Sequence, residues 1–283
     1  MSKFLGHAYG ETLHEELYDC CVELGLAGIH QLSIDGPNVN WKAYDLLNTE
    51  VARGTRRKLL DIGSCGLHVL HNAFCSGMTD TGWDVEHTLG ALHWLFKDAP
   101  ARREDFISVT KSTLFPLKFC SHRWVENVIV AERAVQIWPQ VNQFVGAAKA
   151  GAVSKPKNKS FKAVADSVNN PLFIPQLQAF IAMAKDTTPF LLKYQTDAPM
   201  LPFVKGDLEN LLRDLMRRFI KKDVLENADT VGKLLQIDPY KKKLHVQSTA
   251  VDIGFAAEQA LRWLKTSKKI SDRDILSLRL DCK

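Results

Sequence analysis

Ala27-Gly28-Ile29-His30-Gln31-Leu32-Ser33-Ile34-Asp35-Gly36-Pro37-Asn38 reads as an extended segment closed by a turn, and the fold assignment hangs on it. Polar and apolar side chains alternate from Gln31 to Ile34, as on a half-buried strand, and Gly36-Pro37 ends the run. Working outward, Trp41, Tyr44, Asp45 and Leu47 recur at three- and four-residue intervals, which predicts a helix from Asn38 to about Glu50. The pattern then repeats. Arg53 to Lys58 reads as a turn, Leu59-Leu60-Asp61-Ile62 as a second short strand, and Gly63-Ser64 as the start of a helix from Cys65 to about Met78. A strand–helix–strand–helix order makes the two strands parallel neighbours, and ligands sit outside the carboxyl ends of such strands. That rim would carry the Asp35 carboxylate and the Cys65/His68 pair.

Beyond this unit the chain reads as helices. Trp83–Phe96, Arg102–Val109 and Trp124–Trp138 have helical spacing, and Pro139 opens a further helix to about Ala150. The polar, basic stretch from Gly151 to Ser160 reads as an internal linker. Phe161–Val168, Ile174–Lys185, Phe190–Tyr194, Leu208–Ile220, Gly254–Lys265 and Asp272–Leu280 follow as helices. With 46% hydrophobic and 24% charged residues in 283, the composition is that of a folded protein and excludes a disordered chain. The net charge of +5 permits polyanion binding without requiring it. Six cysteines lack the density of a secreted disulfide scaffold, and neither a signal peptide nor a membrane span is read. The expectation is a soluble intracellular protein, nuclear or cytoplasmic.

Three motifs carry a family resemblance. Ser33-Ile34-Asp35-Gly36-Pro37-Asn38-Val39-Asn40-Trp41-Lys42, Cys65-x-x-His68 and Ser121-His122-Arg123-Trp124 occur in an order and spacing that resemble hAT-superfamily DNA transposases and their derivatives. The resemblance implies an RNase H-like core with a D-D-E acidic triad, interrupted by a large all-helical insertion. It makes Asp35 the second acid of the triad, His68 a residue facing the active site, Cys65 a packing residue, and Arg123-Trp124 the family's Arg-Trp pair. Asn38 would support the Asp35 loop. The first acid should lie on an earlier strand, yet only 34 residues precede Asp35, and their acids fall in a stretch with helical spacing. The last acid should follow the insertion, ahead of a hydrophobic tail that this chain does not show.

The fold expectation is therefore α+β and mostly helical. Residues 1–80 form an incomplete RNase H-like α/β core, 81–150 a helical extension, 151–162 a basic linker, and 163–283 an insertion-like helical region. Cleavage by such a nuclease uses two divalent metals held by converging carboxylates. Asp35 alone does not hold them, so no cofactor is expected unless further acids complete a Mg²⁺ or Mn²⁺ site. Each residue also has a plainer reading. Asp35 could be an Asx turn residue, Arg123 an ion-paired helix start over a core indole, and Cys65/His68 two ligands of a zinc site completed by His71, Cys75, Cys120 or His122. Lys42, Arg53, Arg56, Arg57 and Lys58 are the candidate phosphate contacts. Three functions remain open: a transposase-derived, catalytically incomplete protein with weak non-specific DNA affinity and a tendency to self-associate; a helical protein-interaction module; and an active metal-dependent nuclease.

Overall fold

A computed structural model describes residues 6–7, 9–34, 36, 38–60, 65–196, 198 and 200–283. Asp35 and the residues 61–64, and with them Asp61 and most of the second expected strand, lie outside the described residues. The protein is mostly helical, and the described residues contain no strand, only two isolated β-bridges. None of its helices is long and apolar enough to cross a membrane, among the described residues. The chain divides into two compact units, Met1–Ala73 and Phe74–Lys283.

In the first unit, α1 (Gly10–Glu23) packs on α2 (Asn38–Thr55). Both helices exist because each has an apolar stripe to bury. Cys21 meets Tyr44, Leu47 and Val51, which follow one another at three- and four-residue spacing on α2, and Leu59 closes the cluster from beyond the helix. Burying each Leu or Val of that stripe contributes about 1.5–3 kcal/mol before conformational entropy is counted. Ile29, Leu32 and Ile34 lie partly buried against the same cluster. The expected first strand is shorter than its pattern suggests. Leu26–Gly28 coil into a 3-10 turn behind Gly25, whose φ of 87° lies where only glycine is unstrained. Among the described residues, its pairing is a parallel bridge between Gln31 and Leu60. The turn expected at Arg53–Lys58 begins later, since α2 continues to Thr55 and the chain reverses at Arg56 with φ 59°. Then α3 (Gly66–Asp80) begins, and the division between the units falls within it.

The second unit has a single large core. It draws on α4 (Val85–Phe96), α5 (Pro100–Thr110), α6 (Val128–Lys149), α7 (Lys159–Asn169), α8 (Phe173–Tyr194), α12 (Phe255–Thr266) and α13 (Asp272–Asp281). Between α8 and α12 come α9 (Leu201–Arg217), α10 (Lys222–Asn227) and α11 (Val231–Leu235), which share a smaller cluster of Met216, Ile220, Leu225, Ala228 and Leu234. Phe96, Phe106 and Phe144 meet at centroid distances of 5.0–5.7 Å at the centre of the larger core. The core runs from Met78 to Leu278, so residues on both sides of the 151–158 connection are buried together.

Two expected breaks are absent. Pro139 lies inside α6 and Pro189 inside α8. Proline removes one i→i−4 hydrogen bond, but Ile137, Trp138, Val141, Phe144 and Val145 on either side of Pro139 are buried in the same core. Ending the helix there would expose half of that face. Where α12 begins, Gly254 has φ 88°, and a Cβ at this position would stand 2.4 Å from the Cβ of Ala182 on α8. Both the backbone turn and the close approach require glycine. Arg218, only 12% exposed, ties this corner together, donating to Asp186 Oδ2 at 2.6 Å and to the carbonyls of Asp252 and Ala182 at 3.2 Å each.

Candidate functional site

The first unit brings together the two segments that the motifs share. The Leu60 amide donates to the His30 carbonyl at 2.8 Å, and the Cys65 amide donates to the Ile34 carbonyl at 2.9 Å. With α2 between them, the segments run in the same direction, as a helical crossover requires and a tight hairpin forbids. The Cys65 contact sets the first turn of α3 beside Ile34, the residue before Asp35. His68 is half-buried on that turn, and His71, three residues further along the same face, is buried. Cys65 is itself half-buried.

Side chains hold this arrangement from both sides. Asn48, on α2, accepts from the Leu59 amide through Oδ1 at 2.8 Å and so fixes the start of the second segment. Arg57 reaches back across the reversal to donate to the Ala27 carbonyl and, at 3.3 Å, to Nδ1 of His30. The remaining candidate cations are divided. Lys42 is paired with Glu11 of α1, which holds the Glu11 carboxyl below its ordinary value. Arg53 pairs with Glu50 at 2.8 Å. Arg56 and Lys58 are exposed, and no ion pair engages them among the described residues. Asn38 is exposed at the first position of α2.

The Arg-Trp pair belongs to the second unit. Arg123 is exposed and pairs with Glu126 at 3.1 Å. Trp124, 5% exposed, opens a 3-10 turn that leads into α6 and stands edge-on to Phe119 at 5.2 Å. Asn127 had no place in the sequence reading, yet it determines this corner. Its Oδ1 accepts from the Cys120 amide at 2.8 Å, and its Nδ2 donates to the carbonyls of Cys120, Arg123 and Trp124 at 2.9–3.2 Å. The available signal was an Asn directly before the apolar run Val128-Ile129-Val130-Ala131, the composition of a helix start.

No family model, curated protein or solved structure matches this chain. Its chemistry therefore rests on the geometry. Among the described residues no three His, Cys, Asp or Glu side chains stand close enough to hold a metal ion, which covers the zinc set considered above. Asp35 lies outside those residues. What the first unit offers, at the amino ends of the two segments and not at the rim, is a pair of exposed cations, Arg56 and Lys58, with no ion pair among the described residues, on a reversal braced by Arg57. A cation of this kind binds a phosphate without reading a base.

Proposed function

We propose that the chain derives from an hAT-type transposase, that segment 29–34, Leu59–Leu60 and α2 retain the start of an RNase H-like core, and that the protein binds nucleic-acid phosphates non-specifically without cleaving strands. The observation that carries this reading is the parallel pairing of the two segments, with the Cys65 amide on the Ile34 carbonyl. It sets Cys65-x-x-His68 against the end of the segment that leads into Asp35, the juxtaposition expected of such a core. That the elements after α3 are helices, among the described residues, agrees with an insertion-rich relative of that fold.

Binding is tested by fluorescence anisotropy with a labelled duplex at several salt concentrations. Arg56→Glu/Lys58→Glu is the informative variant, because reversing Arg57 would also release the Ala27 and His30 contacts. The wild type should bind at micromolar to sub-millimolar Kd at low salt. The double variant should bind much more weakly, with a log–log salt slope shallower by about 2, near 0.9 per phosphate contact removed. Absence of duplex binding by the wild type at low salt defeats the reading and leaves the helical interaction module in its place. Nicking of supercoiled plasmid with Mg²⁺ or Mn²⁺, lost in Asp35→Ala, would instead establish an active nuclease.

A further inference from the structure

Two clefts of the second unit are similar in size and differ in electrostatic character. The larger, of 650 Å³, is lined by Arg213, Arg217 and Lys222 together with Glu209, Glu226 and Asp229. Its charges cancel internally, with Arg213 on Glu209 at 2.8 Å and Lys222 facing Glu226 at 3.5 Å. The smaller, of 520 Å³, lies where α6, the α7–α8 corner and α12 meet, and no carboxylate lines it. Its walls include two indoles, Trp138 and Trp263, three amides, Asn142, Asn169 and Asn170, and one ammonium, Lys269. Trp138 is buried and fixed against Phe173 at a centroid distance of 4.7 Å, whereas Trp263 keeps 60% of its surface in water. Lys269 rests over the Trp263 ring at 4.6 Å, and no ion pair engages it among the described residues. Lys149 adds a second positive charge at the edge, donating to Asn169 Oδ1 at 3.2 Å.

We propose that this cleft binds a nucleotide, with its base stacked on Trp263, its polar edge facing the asparagine amides, and its phosphate on Lys269. The chemistry selects that class. An exposed indole offers a flat apolar face, amides offer paired donors and acceptors that match a base edge, and cations without carboxylates favour an anion. A volume of this size falls within the usual range for small-ligand sites. Stacking requires a base whose face is free, as in a single strand or a mononucleotide and not in duplex DNA. Lys269 already lies on the ring, and the contact it makes there is the weaker of the two on offer. Base–indole stacking exceeds an exposed cation–π contact, so the ammonium moves from the ring to the phosphate as the base arrives. This inference does not depend on the transposase reading, because none of the motif residues contributes to the cleft.

The probes are a labelled oligo-dT of about a dozen nucleotides, read by anisotropy, and dTMP, read by competition and by calorimetry. Trp263→Ala should weaken oligonucleotide binding about tenfold, and Trp263→Phe should restore most of it. Lys269→Ala should weaken binding and make the salt slope shallower by about 0.7, the single-strand value per phosphate contact. Arg56→Glu/Lys58→Glu, which acts in the first unit, should leave the Trp263 effect unchanged, so this proposal and the preceding one fail separately. If dTMP also binds the wild type and loses affinity in Trp263→Ala, the cleft takes free nucleotides; if only the oligonucleotide does, it takes single strands. Both Trp263 and Lys269 are exposed, so the variants should keep the wild-type thermal unfolding profile. Equal binding by wild type and Trp263→Ala, or no binding of either probe by the wild type at low salt, overturns the proposal.

Discussion

Asn127→Ala should destabilise the second unit far more than a polar-to-alanine change in a connection ordinarily does. The side chain is 1% exposed and ties the 120–127 corner to the start of α6. Removing it takes the only acceptor shown for the Cys120 amide, while the Cys120 and Arg123 carbonyls keep second partners in the Arg123 and Glu126 amides. One orphaned, part-buried amide costs about 1–3 kcal/mol, and the donor bonds shared among three carbonyls about 1 kcal/mol more. A total near 3 kcal/mol corresponds to a Tm lower by roughly 6–12 °C for a unit of this size. Thermal unfolding followed by circular dichroism gives the number. Tryptophan emission should shift to the red with it, as Trp124 loses its packing on Phe119. A Tm change below about 2 °C would refute the reasoning, because the corner would then be held by Trp124 packing alone.

Three further outcomes follow from single contacts. Gly254→Ala forces a side chain into a positive-φ turn and into Ala182, and should cost about 3 kcal/mol by denaturant unfolding, where an unstrained replacement would stabilise by about 0.4–1 kcal/mol. Asp207 accepts from Lys193 and Tyr194, which holds its carboxyl below the ordinary value of 3.8, and the same contact with burial pushes the Tyr194 hydroxyl up to about 12. Because the folded pKa is depressed, the stabilisation exists above the unfolded value and is lost as pH falls through the folded one. The Tm gap between wild type and Asp207→Asn should therefore be full at pH 7 and close below about pH 4. Burial, reinforced by Asp281, pushes the Cys282 thiol up to about 12. Mass spectrometry after iodoacetamide at neutral pH should find half-buried Cys282 labelled far more slowly in the native protein than in urea; equally rapid native labelling would contradict its raised thiol.

Most helices were legible because burial and spacing agree along them. The stripe Tyr44, Leu47 and Val51 on α2 is visible in the sequence and lies buried in the structure. Where a local signal competes with a distant one, the sequence misleads. Pro139 and Pro189 are strong local breakers, but the apolar faces around them belong to one core, and that long-range fact is invisible to a window of a few residues. The alternation at Gln31–Ile34 indicated an extended segment and its parallel partner, but not that pairing among the described residues would shrink to a single bridge. Of the candidate site, Cys65 and His68 could be placed beside the first segment from the repeated strand–helix order. Side-chain anchors could not. Arg57 reaches Ala27 thirty positions away, and Asn48 reaches Leu59 around the end of a helix. A run of basic residues looks uniform in sequence, although the structure makes Arg57 a brace and leaves Arg56 and Lys58 facing solvent.

The ancestry proposed for the first unit depends on the parallel bridge of Gln31 with Leu60 and on the Cys65 amide meeting the Ile34 carbonyl. Through-hydrogen-bond scalar couplings in a deuterated, ¹⁵N/¹³C-labelled sample report both directly. The account predicts a coupling from the Leu60 nitrogen to the His30 carbonyl carbon and another from the Cys65 nitrogen to that of Ile34. Couplings from these two nitrogens to carbonyls four residues earlier in the chain, the signature of helix, would contradict it.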